Sequence, residues 1–537
     1  MPQTLNASIL PLPAVDGAAE ALAPDLQAPV GSIGLCLSGG GSRALTCAMG
    51  QLRALHHLGL IDRVFAISSV SGGTWANSCY TYLPASITDE DFLGVPVLDP
   101  SKLVVFGQGP NALEHLSPNN LGRVPGGLGY LRDFGEIWKL WHEWGYPTTE
   151  LWQGLIGHGV LRHFGLWQPD PAASHFDTHY FSWNQAYIES GTLRRNPGLR
   201  ASDFYLVQRR RPFPVFNTAL FSDSTSSADL LPFEANFMLG VRQAWPTPGP
   251  QATIGGGLLE SLAMNGQFQK DVDTQVVSVA TPSRRYTLAD VVGSSSAAFA
   301  QVLEETYPEL KGLVPVYDYF PIQNRAKVGT AARSFADGGS LENLGLNALL
   351  ARGVSRIVVG INTDEGLGMD DGQIVVSSDL PPLFGLQPYA KGKGYVPYSR
   401  DPGQGANRLF RHNQVFPTAA FATLQNALWQ ARQRGGPVIV AQRLNVLPNP
   451  WFNIPGDSSV EILWLYNDFV PAFWNKLHAT VRLAIDAAGK LQFPLYNTFD
   501  MLELDAVAVN ALAHLWTWNL AAPGNADVVR DFFDKGV

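Results

Sequence analysis

The sequence predicts an α/β fold, and two stretches of the chain carry that prediction. The apolar run Ile33–Leu37 leads into a glycine turn, and the stretch 43–58 repeats apolar residues at helical spacing. The next apolar run, 64–68, completes a strand-helix-strand unit of the size that joins two parallel strands by a right-handed crossover. A second unit of this kind spans 333–362 and contains an Asp-Gly-Gly turn. Parallel strands connected through helices define the α/β class.

The composition of the 537 residues excludes several classes of protein. Hydrophobic residues make up 46% and charged residues 15%, which is typical of a globular chain and not of a disordered or fibrous one. The 37 basic and 46 acidic residues give a net charge of −9, so no partnership with nucleic acid is expected. The spacing of Cys36, Cys47 and Cys79 suits neither a disulfide framework nor a zinc site, and they are predicted to be buried apolar side chains.

Neither a signal peptide nor a membrane span is predicted. The first thirty residues contain no Lys or Arg, and Pro11 and Pro13 interrupt the short apolar patches around Ile9 and Leu12. No stretch approaches the roughly 18 apolar residues that a spanning helix needs. Membrane contact is therefore expected to be peripheral at most. A cytoplasmic or peripheral location is the default, and the compartment and the oligomeric state are left open.

Changes in composition divide the chain into predicted parts. Residues 1–30, rich in alanine and proline, are expected to form an N-terminal arm and not a core element. Residues 31–365 hold both strand-helix-strand units and are predicted to form the main domain, with an inserted cap at 85–200 that is rich in glycine, proline and tryptophan. Residues 366–537 are predicted to be a C-terminal extension packed on that domain.

The first candidate for chemistry is Ser71, which follows the strand predicted at 64–68. A serine at a tight strand-to-helix turn points its hydroxyl away from the sheet, and the small neighbours Gly72 and Gly73 let a substrate approach. Such a nucleophile elbow usually has the form G-x-S-x-G, and here Ser69 replaces the first glycine. The alternative interpretation is an ordinary turn that caps a helix.

The second candidate is the glycine loop 39–41, which ends the preceding strand and opens the next helix. Consecutive glycines leave amide groups uncovered at the helix start, where hydrogen-bond donors and the helix dipole can hold a developing oxyanion. Arg43 places a permanent positive charge beside the loop, suited to a phosphate or carboxylate. A purely structural glycine turn is the alternative.

A dinucleotide-binding loop is a further interpretation of the same glycines. Gly39, Gly41 and Ala44 fit the pattern G-x-G-x-x-A, and Asp62 follows about twenty residues later. The pattern, however, requires its acidic residue at the carboxyl end of the second strand, and Asp62 precedes that strand. Nucleotide binding is therefore disfavoured.

The third candidate is Asp337 in the turn of the second strand-helix-strand unit. The carboxyl ends of the strands in an open α/β sheet lie along one edge, so Asp337 can meet Ser71 there and accept its proton as a general base. An ordinary aspartate pKa of about 3.9 suits this role poorly, and burial that raises the pKa is expected to help. The alternative is a triad that also uses one of the late histidines, which are His412, His478 and His514.

These three elements, in this order, resemble those of the patatin and cytosolic phospholipase A2 superfamily. Within it, the chain is most similar to the cytosolic phospholipase A2 / lysophospholipase branch. That branch has S-G-G-G-x-R-A where this chain has residues 38–44, and x-S-G-x-T-W where it has residues 70–75. Similar segments follow at 214–218, 232–240 and 292–299. The resemblance extends from about residue 33 to about residue 365.

The resemblance implies a patatin-like three-layer α/β/α sandwich with a central, mostly parallel sheet and an inserted aromatic-rich cap. It also implies a serine acyl hydrolase that cleaves fatty acyl esters of phospholipids or lysophospholipids. In some relatives a calcium-binding membrane module precedes the catalytic pattern. Here the pattern begins at residue 33, so calcium dependence is not expected. Neither a metal nor a cofactor is predicted. A lipid-binding protein that keeps the scaffold without turnover is the non-enzymatic alternative.

The resemblance further assigns roles to individual residues. Ser71 is expected to be the nucleophile and Asp337 the base that activates it. The amides of Gly40 and Gly41 are expected to stabilise the oxyanion. Arg43 is expected to contact the lipid phosphate, and Gly39 is predicted to be a further substrate-binding residue.

Overall fold

The structure, a computed structural model, describes residues 3–12, 28–29, 31–129, 137–170, 174–222, 229–246, 253–298 and 312–535. Parts of the predicted arm (1–2, 13–27 and 30) and of the predicted cap (130–136 and 171–173) lie outside the described residues.

In the described chain, fourteen strands form one large sheet. In chain order they are β1 (Thr4–Pro11), β2 (Ile33–Leu37), β3 (Val64–Val70), β4 (Phe213–Phe221), β5 (Leu230–Ala235), β6 (Met238–Gly240), β7 (Gly257–Glu260), β8 (Phe268–Asp271), β9 (Val276–Ala280), β10 (Val316–Tyr319), β11 (Ala331–Asp337), β12 (Arg356–Ile361), β13 (Val438–Val446) and β14 (Ser458–Tyr466). The order across the sheet is β8-β9-β1-β7-β6-β5-β4-β3-β2-β12-β14-β13, and β11 pairs with both β4 and β10. Separate two-stranded ribbons join Pro169–Asp170 to Ser174–Asp177, Tyr180–Phe181 to Phe204–Tyr205, Trp245–Pro246 to Thr253–Ile254, and Gly368–Asp370 to Gln373–Val375.

The five strands at the centre of the sheet run parallel. β2 pairs in parallel with β3 and β12, and the parallel arrangement continues to β4 on one side and β14 on the other. Antiparallel strands extend the sheet beyond both ends of this centre. Every residue of β2 is buried, which explains why its sequence is apolar throughout instead of alternating. The predicted α/β class with a central parallel sheet is confirmed. The second predicted strand-helix-strand unit, at 333–362, is not a parallel one, because β11 is antiparallel to β4 and hence to β12.

Helices cover both faces of this sheet. The longer ones are α1 (Gly41–His57), α2 (Gly72–Thr81), α3 (Thr148–Ile156), α4 (Leu288–Ser295), α5 (Phe421–Gln433), α6 (Ala479–Ala488), α7 (Ala506–Ala521) and α8 (Asn525–Asp534). Shorter helical segments are Asp89–Leu93, Arg123–Gly126, Gln185–Tyr187, Leu193–Arg195, Arg325–Val328, Leu346–Leu350 and Pro471–Trp474. Within the described ranges, none of these helices has the length and the apolar character needed to span a bilayer.

Two hydrophobic cores, one on each face of the sheet, give the fold its three layers. Leu35 and Leu37 of β2 belong to the core that contains α1, α2 and α7. Cys36, between them, belongs to the opposite core, which contains α5 and the helix Leu346–Leu350. Side chains alternate along a strand, so one apolar strand supplies both cores. The three-layer sandwich is confirmed, and all three cysteines are buried and free, as predicted.

Helices α1 and α7 approach each other closely at Gly50. A Cβ on Gly50 would lie 2.5 Å from the carbonyl oxygen of Ala513 and 2.7 Å from the Cβ of Trp516. Glycine is therefore required here by the crossing of two helices, and any side chain would force them apart.

The N-terminal segment is a strand of the sheet. β1 lies between β9 and β7 and is antiparallel to both. Leu5, Ala7 and Ile9 are fully buried in one core, and Leu10 is buried in the core on the opposite face, so both faces of the strand are covered at its carboxyl end. The prediction of an arm for residues 1–30 is therefore wrong for residues 4–11. The alanine and proline content behind that prediction lies mostly in 13–27, outside the described residues.

Residues 366–537 contribute to the same sheet and the same core. β14 pairs in parallel with β12, β13 forms the adjacent edge, and α7 packs on α1. These residues complete the sheet as well as covering it. The division of the chain at residue 365 stays a prediction.

The segment predicted as a cap lies between β3 and β4, which are neighbours in the sheet. Its helix α3 packs on α4, where the fully buried Trp152 donates a hydrogen bond to the carbonyl of Gly293 at 2.9 Å. This contact links the inserted segment to the helix that supports the turn at Ser71. The boundaries of the cap at 85 and 200 stay a prediction.

Candidate active site

Ser71 lies at the sharp turn between β3 and α2. Its φ of 49° and ψ of −122° are a conformation that residues with a side chain rarely adopt, so the surrounding contacts must hold it in place. The Ser71 amide donates to the carbonyl oxygen of Ser295 at 3.1 Å and lies 3.0 Å from its hydroxyl. The end of α4 thus holds the strained turn that a nucleophile elbow requires.

Ser69, which replaces the usual glycine of the elbow, is buried below the turn. Its hydroxyl lies 3.0 Å from that of Thr74 and accepts a hydrogen bond from the side-chain amide of Asn77 at 3.0 Å. The Thr74 hydroxyl lies 2.9 Å from that of Ser295. The serine therefore joins a polar network that connects β3, α2 and α4 beneath Ser71.

The glycine loop 39–41 lies directly beside this turn. A Cβ on Gly39 would lie 3.1 Å from the Cβ of Ser71, and a Cβ on Gly72 would lie 2.6 Å from the nitrogen of Gly41. Gly40 and Gly41 have φ values of 129° and 54°, which glycine adopts without a steric penalty. The two glycine-rich segments therefore touch through their backbones.

The amides of this loop differ in their partners. The amide of Gly39 donates to the carbonyl of Asn343 at 3.0 Å. The amides of Gly40 and Gly41 have no protein acceptor among the residues that the structure describes, and no side chain caps α1 at Gly40. Both amides stand at the positive end of the α1 dipole, an environment that stabilises negative charge.

Asp337 ends β11, and its carboxyl group is buried next to Ser71. One carboxyl oxygen accepts from the amide of Gly339 at 2.6 Å and the other from the amide of Ala298 at 3.4 Å. The Asp-Gly turn lies against the residue before Ser71, since a Cβ on Gly338 would be 3.1 Å from Cγ1 of Val70. Burial raises the pKa of Asp337 to about 6, while the hydrogen bonds, that from Gly339 first, act to lower it.

Asn343 connects the Asp-Gly turn to the glycine loop, and the sequence analysis did not identify it. Its carbonyl holds the amide of Gly39, and its side-chain oxygen would lie 2.6 Å from a Cβ on Gly339. Its side-chain amide donates to Asp379 at 3.0 Å. Burial, followed by the nearby charge of Glu365, raises the pKa of Asp379 to about 6. No pattern in the sequence distinguishes this asparagine from others.

Arg43 is buried at the start of α1, with 4% of its surface exposed. Its Nε donates to the carbonyl of Asn362 at 2.7 Å. Its Nη1 donates to the carbonyl of Tyr496 and to the hydroxyl of Thr498, each at 2.7 Å, and forms an ion pair with Asp364 at 3.1 Å. The expected contact with a lipid phosphate stays a prediction, because protein groups surround this guanidinium.

The structure gives other surroundings to the residues that a catalytic triad or a dinucleotide-binding loop would require. His412 stacks on a tryptophan ring, and burial lowers its pKa to about 4. His514 is buried beside an arginine, which together with burial lowers its pKa, and His478 stands at the start of α6. Among the described residues, the hydrogen-bonding groups of Asp337 include no histidine. Asp62 is exposed at the amino end of β3. The choice between a dyad and a triad stays a prediction.

Comparison with known proteins finds similarity to cytosolic phospholipases A2. None of the known family profiles matches the chain. A segment of 131 residues, 24% of this chain, is 33% identical to human cytosolic phospholipase A2 beta, and a segment of 122 residues, 22% of the chain, is 34% identical to human cytosolic phospholipase A2 delta. The resemblance to the cytosolic phospholipases A2 is confirmed. The matched segments span 15% and 13% of these two relatives.

Solved structures of human GIVD cytosolic phospholipase A2 also align with the chain. One aligns over 96% of this chain and 62% of the other, with a TM-score of 0.43 and 12% sequence identity. Another, in complex with methyl gamma-linolenyl fluorophosphonate, covers the same shares with a TM-score of 0.37 and 14% identity.

Proposed function

We propose that this chain is a serine acyl hydrolase that cleaves fatty acyl esters of phospholipids or lysophospholipids. The observation that carries the proposal is the convergence of a strained Ser71, the buried carboxyl of Asp337 and the amides of Gly40 and Gly41, which have no protein acceptor within the described part of the chain. The similarity to cytosolic phospholipases A2 supports a lipid ester as the substrate class. Such a substrate resides in a membrane or micelle, so the proposal includes peripheral contact with a lipid surface.

In the proposed acylation step, the Ser71 oxygen attacks the ester carbonyl carbon while the Asp337 carboxylate takes the hydroxyl proton. The carbonyl oxygen becomes an oxyanion, which the amides of Gly40 and Gly41 and the dipole of α1 stabilise. The tetrahedral intermediate collapses by breaking the bond to the alcohol oxygen. Asp337 returns its proton to this leaving alcohol, and Ser71 remains esterified.

In the proposed deacylation step, water takes the place of the alcohol. Asp337 accepts a proton from the water as the water attacks the acyl carbon, and returns that proton to the Ser71 oxygen as the fatty acid leaves. With its pKa raised to about 6, Asp337 is ionised at neutral pH and is a stronger base than an ordinary aspartate. Burial thus adapts the carboxyl to both steps.

A fluorophosphonate probe tests for the nucleophile. We expect the purified wild-type chain to be labelled at Ser71 and the Ser71→Ala variant to remain unlabelled. The exposed Ser190, replaced by alanine, is the matched control and is expected to leave labelling unchanged. Equal labelling of wild type and Ser71→Ala would show that Ser71 is not the nucleophile.

Product analysis tests the substrate class. We expect the wild-type chain to release free fatty acid from defined phospholipids or lysophospholipids in a chelator-containing buffer, and the Ser71→Ala variant to release none. A wild-type chain that binds lipid vesicles without releasing fatty acid would support the non-enzymatic alternative and contradict the proposal.

A further inference from the structure

Thr498 lies in the loop between α6 and α7 and contacts the glycine loop 458 positions earlier in the chain. Its hydroxyl donates to the carbonyl of Gly40 at 3.1 Å and accepts from Nη1 of Arg43 at 2.7 Å. The residue is buried, with 8% of its surface exposed. A side chain from the last part of the chain is thus in direct contact with the candidate oxyanion loop.

The directions of these hydrogen bonds follow from the groups themselves. A guanidinium can only donate and a carbonyl can only accept. The Thr498 hydroxyl, which stands between Arg43 and Gly40, must therefore accept from the arginine and donate its one proton to the carbonyl. The positive charge of Arg43 polarises the hydroxyl and strengthens the bond that it donates.

Holding the Gly40 carbonyl also fixes a candidate oxyanion donor. The carbonyl of Gly40 and the amide of Gly41 belong to one planar trans peptide, so they point in opposite directions. Rotation of this peptide between two glycines meets little steric resistance, because both residues tolerate positive φ. The carbonyl is held by Thr498 and by the amide of Ala44 at 3.1 Å. These two bonds oppose a rotation that would turn the Gly41 amide away.

Arg43 holds Thr498 in this position from the other side. It donates to the carbonyl of Tyr496 as well as to Thr498, and its remaining partners, Asn362 and Asp364, follow β12. The arginine therefore joins the glycine loop, the end of β12 and the loop 496–498. All four partners are protein groups, which indicates a structural task for the guanidinium.

We propose that Thr498, supported by Arg43, is a positioning residue that holds the Gly40–Gly41 peptide with its amide directed at the oxyanion. The inference rests on the proposed function and deepens it, because it assigns part of the proposed catalytic geometry to residues 366–537. It also gives Arg43 a role in positioning in place of the contact with a lipid phosphate.

Steady-state kinetics of Thr498→Val and Thr498→Ser test the inference. The substrates are a lysophospholipid and a neutral ester without phosphate, p-nitrophenyl butyrate. Valine keeps the shape and removes the hydroxyl, so we expect kcat to fall about 10- to 100-fold on both substrates with KM nearly unchanged, somewhat less than the loss of a whole oxyanion donor. Serine keeps the hydroxyl and is expected to retain kcat within about threefold. Thr498→Ala removes the same hydroxyl without a new methyl group and must show the same split if Thr498→Val folds poorly.

Arg43→Lys separates positioning from phosphate binding. If Arg43 acts through Thr498, the variant loses kcat on the neutral ester as well as on the lysophospholipid. A loss confined to the lysophospholipid, or one that appears in KM alone, would overturn the inference, as would a kcat of Thr498→Val within twofold of wild type. Failure of the proposed function is a separate result, since the Ser71→Ala variant would then match the wild-type chain on both substrates.

Discussion

The burial of Asp337 raises the pKa of its carboxyl group. A pKa raised to about 6 places its ionisation within reach of ordinary assay conditions. Only the ionised carboxylate can accept the Ser71 proton, so we expect kcat/KM to rise tenfold per pH unit below about pH 6 and to level off above it. The measurement is the pH profile of p-nitrophenyl butyrate hydrolysis from pH 4.5 to 8.5. A profile that stays flat from pH 5 to 7 would contradict the assignment of Asp337 as the base.

The same burial makes the charged carboxyl unfavourable for the fold. The folded pKa lies above the ordinary value of 3.8, so the contribution of Asp337 to stability is present below about pH 4 and is lost as the pH rises through about 6. A shift of this size corresponds to at most about 3 kcal/mol.

We expect Asp337→Asn to lose at least 1,000-fold in kcat/KM, comparable to removing a member of a catalytic triad, which is about 10⁴-fold.

The Asp337→Asn variant is also expected to be more stable than the wild-type chain at pH 8, by about 1–3 kcal/mol, and nearly equal to it at pH 4. Urea unfolding at the two pH values measures the difference. A variant that is less stable at pH 8 would show that the neutral form is not the one the fold prefers.

The residues that could be predicted from the sequence are those whose signal is local. Ser71 and Asp337 each stand in a small-residue turn at the end of an apolar run. Their meeting does not follow from the shared edge of parallel strands, because β11 is antiparallel to β4. Asp337 pairs with Thr218 of β4, beside Asn217, which pairs with Val70 of β3. Thr498 and Asn343 carry no such signal, because each contacts a backbone group that is distant in the sequence. Arg43 was recognised as a charge beside the loop, but its partners in residues 496–498 follow only from the three-dimensional fold.

At the level of elements, the crossing of α1 and α7 depends on the absence of a side chain at Gly50. Alanine favours a helix over glycine by about 1 kcal/mol, yet its Cβ would meet the backbone of α7. Because overpacking outweighs the helical preference, we expect Gly50→Ala to destabilise the chain by about 1–3 kcal/mol. Denaturant unfolding provides the measurement. Gly436→Ala is the control, since nothing lies within 4 Å of a Cβ there, and it is expected to change stability by less than about 0.5 kcal/mol.

Parallel elements were easier to predict than antiparallel ones in this chain. The parallel unit β2-α1-β3 is continuous in sequence, with strand, turn, helix and strand following one another, so its pattern is read within about 40 residues. The unit predicted at 333–362 has the same local pattern, but its first strand, β11, is antiparallel to the central strands. β1 has the same alternating pattern as many edge segments, and its partners β7 and β9 come much later in the chain. Composition averaged over residues 1–30 therefore concealed an eight-residue strand.

At the level of the whole molecule, the sheet depends on both halves of the chain. Without residues 366–537, β12 would become an exposed edge, α1 would lose the cover of α7, and Arg43 would lose two of its partners. We therefore expect residues 1–365, expressed alone, to yield no folded monomer. Size-exclusion chromatography and near-ultraviolet circular dichroism measure this. A monomeric 1–365 fragment that unfolds cooperatively and reacts with the fluorophosphonate would contradict the expectation.

The place of β1 in the sheet has a consequence for how the chain is made. Both of its neighbours are synthesised roughly 250 residues later, which at about 5–20 residues per second leaves the segment waiting on the order of 10 to 50 seconds. During that interval its backbone donors and acceptors and its apolar face are open to other chains. We therefore expect this segment to be open to pairing with other chains until β7 and β9 have been synthesised.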